Sequence, residues 1–71
     1  MFTESQSEAL QGIKFKKIDE GMYKNCDIAI FAEDDFVVMY LEDGWAYRKT
    51  FDTFAEAFDF VSKLYYITFN F

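Results

Sequence analysis

The chain has 71 residues, with 13 acidic side chains against 7 basic ones and a formal net charge of −6, and it contains no histidine and no proline. Hydrophobic residues make up 52% of the sequence and aromatic residues 23%, which excludes a disordered polar tail and predicts one small domain over residues 1–71. With one cysteine and no histidine, an intrachain disulfide is excluded, and we expect no metal site and no cofactor.

Residues 1–12 form the first predicted element, which is either a short helix or a loose arm. Thr3 and Gln6 have the spacing of a capping box, in which each side chain binds the backbone N–H of the other residue at the start of a helix. Gly12 is placed to end such a helix.

Residues 13–51 predict an antiparallel β-meander of about four strands. In the first strand the alternation of apolar and polar residues shifts by one position at Lys16 and Lys17, which indicates a bulge. We expect an edge strand whose lysines discourage pairing with another strand. A turn at Asp19, Glu20 and Gly21 follows it.

The second predicted strand begins at Tyr23 or Cys26 and ends at Ala32. Alternation places Cys26 on its apolar side, so we expect a small buried core residue and not a reactive thiol. The next turn consists of Glu33, Asp34 and Asp35.

The dipeptide Asp43-Gly44 between two apolar runs predicts a two-residue type I′ hairpin, since both turn positions require positive φ. Its register makes one face an aromatic ladder, in which Glu42 pairs with Trp45, Tyr40 with Tyr47, Val38 with Lys49 and Phe36 with Phe51. The opposite face then carries surplus apolar residues, namely Val37, Met39, Leu41 and Ala46.

Residues 53–65 predict the main helix, which opens with a capping box at Thr53 and Glu56. Its apolar stripe consists of Phe54, Ala57, Phe58, Val61, Leu64 and Tyr65. Asp59 lies opposite the stripe, with Lys63 spaced to pair with it. Alternation in residues 66–71 indicates a terminal strand. The predicted fold class is α+β, a small two-layer domain with one amphipathic helix on the aromatic face of an antiparallel sheet.

Residues that could perform catalysis are scarce in this sequence. Without histidine there is no Ser-His or Cys-His couple, and the three glycines lie too far apart for a phosphate-binding loop. Glu33, Asp34 and Asp35 are consecutive, so their side chains point in different directions and do not converge on one metal ion. We therefore predict that the protein is not an enzyme and has no catalytic residue.

The negative charge is concentrated in residues 25–71, while residues 1–24 are neutral. Such a field attracts basic protein surfaces, so we expect a basic protein partner and no direct binding to nucleic acid or membranes. The alternative is that the acids only keep an aromatic-rich protein soluble. The acids predicted to contact the partner are Glu33, Asp34, Asp35, Glu42, Asp43, Asp52, Glu56 and Asp59.

Aromatic residues provide a second set of predicted contacts, namely Trp45, Tyr47 and Phe60, because aromatic types are enriched in interface cores. The location is predicted to be cytoplasmic, since one cysteine forms no intrachain disulfide and no apolar run reaches the roughly 18 residues that span a bilayer.

The strand running into a capped helix at residues 47–57 is common to many small domains and indicates no family. The compact, proline-free, acidic character is similar to that of small phage or mobile-element proteins that inhibit host enzymes by binding them. We therefore expect a non-enzymatic inhibitor that binds a basic surface of a nucleic-acid-handling enzyme in the host cytoplasm. The alternative is a structural or regulatory homo-oligomer, such as a homodimer, that uses the surplus apolar sheet face as its interface.

Overall fold

The computed structural model describes the backbone of residues 1–69 and the side chains of residues 1–65. The elements follow one another as α1 (Glu4–Gly12), β1 (Lys16–Asp19), β2 (Met22–Asn25), β3 (Ile28–Ala32), β4 (Phe36–Glu42), β5 (Trp45–Phe51) and α2 (Phe54–Phe69). The strands form one antiparallel sheet in the order β1-β2-β3-β4-β5, a meander. Side chains from both helical segments share one core with one face of the sheet, so the predicted two-layer α+β class is confirmed.

The N-terminal segment is a capped helix and not a loose arm. Thr3 Oγ1 accepts a hydrogen bond from the Gln6 backbone N–H at 3.2 Å, and Gln6 Oε1 accepts one from the Thr3 N–H at 2.9 Å. Both halves of the predicted capping box are therefore present.

The end of α1 is a Schellman motif. The backbone N–H of Lys14 bonds to the carbonyl of Gln11, and the N–H of Phe15 bonds to that of Leu10. Gly12 is the last helical residue, as predicted, but the left-handed conformation falls two residues later on Lys14, at φ 68°. The chain thus uses a lysine where glycine would be less strained.

The predicted second strand is in fact two strands, because the chain turns at Cys26 and Asp27. Asn25 pairs with Ile28 across this turn, and Cys26 has φ 51° and is exposed. The prediction of a buried Cys26 in a strand is therefore wrong. The alternation of β3 continues backwards through Cys26, although the polar residues beside it, Asn25 and Asp27, favour a turn. The sheet consequently has five strands instead of about four.

The β4–β5 hairpin has the predicted register at every position. Asp43 and Gly44 have φ values of 53° and 82°, the signs that a type I′ turn requires, and Glu42 pairs with Trp45. Farther along, Tyr40 pairs with Tyr47, and their rings stack with centroids 5.3 Å apart. The hairpin therefore separates a helix-facing side from an opposite side, as the sequence predicts.

The second helix continues to Phe69, where the sequence predicts a terminal strand from residue 66 onwards. Residues 53–69 contain neither glycine nor proline, so no residue breaks the helix at the predicted end. Extending a formed helix adds one hydrogen bond for each residue fixed, whereas a new strand needs a partner edge. This prediction is wrong for residues 66–69, and residues 70–71 lie outside the described part of the chain.

The core lies between the sheet and the helices, and its fully buried large side chains are Leu10, Phe15, Ile30, Val38 and Val61. Phe2 is 7% exposed and joins this core ahead of α1. Its ring lies 5.3 Å from Tyr23 and 6.2 Å from both Phe36 and Phe54, measured between centroids. The first residues of the chain therefore close the core at the end where α2 begins.

Candidate functional site

The meander brings carboxylates from separate segments to one end of the sheet. The β1–β2 turn, the β3–β4 turn and the β5–α2 link all lie there, because Met22 pairs with Phe31 and Phe36 pairs with both Ala32 and Phe51. We call this group the acidic end, and it consists of Asp19, Glu20, Glu33, Asp34, Asp35, Asp52 and Glu56.

All seven acidic residues of this end are exposed. Lys17 Nζ lies 3.0 Å from Glu20 Oε1, and this carboxylate raises the pKa of Lys17 above its ordinary value through the hydrogen bond and its charge. Glu56 accepts a hydrogen bond at 3.0 Å from the Thr53 hydroxyl, whose oxygen accepts from the Glu56 backbone N–H at 3.3 Å. The Met1 ammonium donates to the Ala32 carbonyl at 2.8 Å, which places one positive charge beside the acids.

The remaining predicted acids lie elsewhere. Glu42 and Asp43 occupy the β4–β5 turn at the opposite end of β4, about 20 Å away at roughly 3.3 Å for each strand residue. Asp59 lies on α2 and pairs with Lys63 at 2.9 Å, the predicted spacing. The structure thus gathers five of the predicted acids, Glu33, Asp34, Asp35, Asp52 and Glu56, and adds Asp19 and Glu20, which sequence reasoning had assigned to a neutral segment.

The predicted aromatic contacts differ in exposure, although Tyr47 and Phe60 both contact the ring of Tyr40. Trp45 is 70% exposed and Tyr47 is 43% exposed, and both lie on β5, toward the end opposite the acidic end. Phe60 is half-buried between helix and sheet, with its ring centroid 5.4 Å from Tyr40 and 5.3 Å from Phe51. Phe60 therefore packs against the core, while Trp45 and Tyr47 present their rings to solvent.

The sheet face opposite the helices is mainly apolar, with Lys24 and Arg48 among its residues, and it is not covered by any of the residues 1–65 whose side chains are described. Met39 and Leu41 on this face are 43% and 54% exposed. We call it the open face, and its apolar residues are Met22, Ala29, Phe31, Val37, Met39, Leu41 and Ala46. The predicted surplus residues of β4 and β5 are among them, and the structure adds Met22 of β2 and Ala29 and Phe31 of β3.

Two shallow depressions mark the open face. One of about 260 Å³ lies along Met22, Ala29, Met39 and Leu41. The other, of about 220 Å³, is lined by Phe31, Glu33, Val37, Met39 and Arg48. Because Glu33 belongs to the acidic end, the open face and the acidic end form one continuous surface.

Among the side chains of residues 1–65, no group of three or more cysteine, aspartate or glutamate residues is arranged to hold a metal ion. None of the helices described over residues 1–69 has the length and apolar character needed to cross a membrane. Comparison with protein-family models, with curated proteins and with solved structures finds no match to this chain.

Proposed function

We propose that this protein is a non-enzymatic binding module that attaches to a basic protein surface and blocks it. The observation that supports this function is the junction between the acidic end and the open face, where Glu33 and the apolar side chains of Phe31 and Val37 line one depression. A partner that fits carries lysine or arginine side chains beside an exposed apolar side chain.

The two parts of this surface contribute in different ways. The net charge of −6 and the group of exposed carboxylates accelerate encounter with a basic partner, by a factor on the order of 10 to 1000 at low salt. Burial of Met39 and the half-buried Phe31 and Val37 then slows dissociation, since apolar area removed from water stabilises by about 25 cal/mol per Å².

Enzymes that handle nucleic acid are the partner class that we propose. Their substrate sites are basic because they bind phosphates, and a dense group of carboxylates competes for the same lysine and arginine side chains. With such a partner, the protein would be the kind of inhibitor that its composition indicates, a small phage or mobile-element protein that binds an enzyme in the host cytoplasm. Duplex DNA should therefore displace the captured enzyme from the immobilised protein.

The test compares two charge-matched double variants. Asp34→Lys/Asp35→Lys reverses two exposed turn residues of the acidic end, and Glu4→Lys/Glu8→Lys reverses two exposed acids outside the predicted contact set. Both change the net charge equally, and both spare the core. Immobilised proteins capture nucleic-acid-handling enzymes from host lysate at about 50 mM and at about 300 mM salt, with and without duplex DNA as competitor.

We expect at least a tenfold loss of captured enzyme for Asp34→Lys/Asp35→Lys, a change within about threefold for Glu4→Lys/Glu8→Lys, and release by DNA and by salt. Met39→Gln, which keeps the side-chain volume but adds a polar group, should speed dissociation. Equal losses for the two charge variants, or capture that neither salt nor DNA alters, would contradict the proposal.

A further inference from the structure

The two edges of the sheet differ in how they are protected. At one edge, β1 has four residues, two adjacent lysines, and an irregular register between Lys17 and Asp19. These features discourage pairing with another strand. At the other edge, β5 has seven residues in unbroken register with β4, and no described residue pairs with its outer side. β5 also carries two adjacent cations, Arg48 and Lys49, but a regular edge of this length is a template for another strand in any register that does not set these charges opposite each other.

The β4–β5 turn determines which backbone groups of β5 point outward. In a two-residue hairpin the residues flanking the turn, Glu42 and Trp45, form a hydrogen-bonded pair, and such pairs recur at every second residue. Trp45, Tyr47, Lys49 and Phe51 therefore bond to β4. The outward N–H and C=O groups belong to Ala46, Arg48 and Thr50.

We propose that β5 pairs antiparallel with β5 of a second copy of this chain, about a two-fold axis at Tyr47, to form a continuous ten-stranded sheet. In such a pairing opposed residues share a face, so the two-fold axis passes through a residue. The axes that keep at least five residues of β5 paired pass through Tyr47, Arg48 or Lys49. Axes at Arg48 or Lys49 put two like charges directly opposite each other, which is destabilising. The axis at Tyr47 has no such conflict.

The register centred on Tyr47 matches the side chains as well as the backbone. It places Trp45 opposite Lys49 of the second copy, a cation beside an indole ring, and it places Ala46 opposite Arg48. The outward groups of Ala46 and Arg48 then form the hydrogen-bonded pairs on either side of the axis. Lys49 Nζ already lies 5.3 Å from the centroid of the Phe60 ring, so it would be held between two aromatic side chains.

The helices leave room for this pairing. Helix α2 lies over β3, β4 and β5, and it is therefore centred on β4. Neighbouring strands are roughly 4.8 Å apart, and the proposed two-fold axis lies half that distance outside β5. The axis of α2 is thus about 7 Å from the two-fold axis. The two copies of α2 would then run about 14 Å apart, while a helix with side chains is about 10–12 Å wide. Trp45 and Tyr47, which are 70% and 43% exposed in one copy, would then lie beside the two-fold axis, between the helices of the two copies.

This pairing is independent of the proposed function. Antiparallel copies direct their acidic ends away from each other, and the open faces stay exposed. Failure of one proposal therefore leaves the other standing.

The experiment is sedimentation equilibrium of the full chain from about 1 μM to about 1 mM, a range that covers weak self-association. We expect the mass to rise with concentration from 8.4 kDa toward twice that value. Two variants at one exposed position test the register: Ala46→Glu puts a carboxylate opposite Arg48 of the second copy, and Ala46→Lys puts a cation there. The first should lower the dissociation constant and the second should raise it, each by about threefold to tenfold.

A second pair of variants tests the edge itself. Proline at position 48 removes an N–H that points away from β4, so Arg48→Pro blocks edge pairing while leaving the β4–β5 hydrogen bonds intact. Arg48→Val keeps the N–H and serves as the control, and circular dichroism verifies that both fold. We expect dimer formation to be lost with proline and kept with valine. A chain that is monomeric at all concentrations, a dimer that survives Arg48→Pro, or equal shifts for the two Ala46 variants would overturn the proposal.

Discussion

Replacing Phe2 tests whether the first residues of the chain are part of the core. The Phe2 ring contacts the rings of Tyr23, Phe36 and Phe54, which come from β2, β4 and α2. Phe2→Ala removes these contacts and leaves a cavity that the sheet and helix cannot easily collapse to fill. We expect the variant to lose most of the stability of the domain.

The magnitude follows from burial. Truncating a buried phenylalanine to alanine costs about 3–5 kcal/mol, and Phe2 is only 7% exposed. The hydrophobic core of a domain of this size rarely supplies more than about 3–5 kcal/mol of stability. Phe2→Ala should therefore be half or more unfolded in water, whereas Phe2→Leu keeps most of the volume and should lose about 1–1.5 kcal/mol.

Urea denaturation followed by circular dichroism measures both losses. Ile18→Ala is the control, because Ile18 is 57% exposed and its loss should stay within about 0.5 kcal/mol. If Phe2→Ala costs less than about 1 kcal/mol, the segment ahead of α1 is not part of the cooperative core, and the reasoning from ring contacts is refuted.

Two further predictions concern residues that reduce the stability of the fold, one by its backbone conformation and the other by a buried polar group. Lys14 takes the left-handed conformation in the Schellman motif of α1. Lys14→Gly should therefore raise the free energy of unfolding, measured by urea denaturation, by about 0.5–1 kcal/mol. A loss of stability would contradict the assigned motif. Ser62 has a buried hydroxyl without a hydrogen-bond partner among the described atoms, so Ser62→Ala should raise the melting temperature, whereas Ser62→Val, which adds volume to a packed site, should not.

The elements with strong local signals could be predicted from the sequence. Asp43-Gly44 has few alternatives to a type I′ turn, and once that turn is set, the register of β4 and β5 follows by counting. Thr53 and Glu56 mark the start of α2 in the same way, since the Thr53 hydroxyl oxygen accepts from the Glu56 backbone N–H, one of the groups that a helix start leaves without a partner, and the hydroxyl donates to the Glu56 carboxylate. These predictions succeeded because each depends on residues close together in the chain.

The failures depend on contacts that local patterns do not report. Phe2 lies in a polar segment without periodicity, and only the gap between Tyr23, Phe36 and Phe54 identifies it as a core residue. The predicted end of α2 is wrong because the β-forming residue types of residues 66–69 favour a strand only weakly, whereas no helix breaker stops the helix there. Cys26 continues the apolar–polar alternation of β3, so the pattern predicts a strand there, although its neighbours Asn25 and Asp27 favour a turn.

That single missed turn explains why the acidic end could not be predicted. In a meander, successive turns lie at alternate ends of the sheet, so two turns share an end only when an even number of strands separates them. Without the Cys26–Asp27 turn, one strand would separate the turn at Glu20 from the turn at Asp34, and their charges would lie at opposite ends. With it, β2 and β3 separate them, and Asp19 and Glu20 join Glu33, Asp34 and Asp35. The concentration of charge that supports the proposed function is thus a consequence of strand number, and a substitution that straightened residues 25–28 would disperse it without changing the net charge.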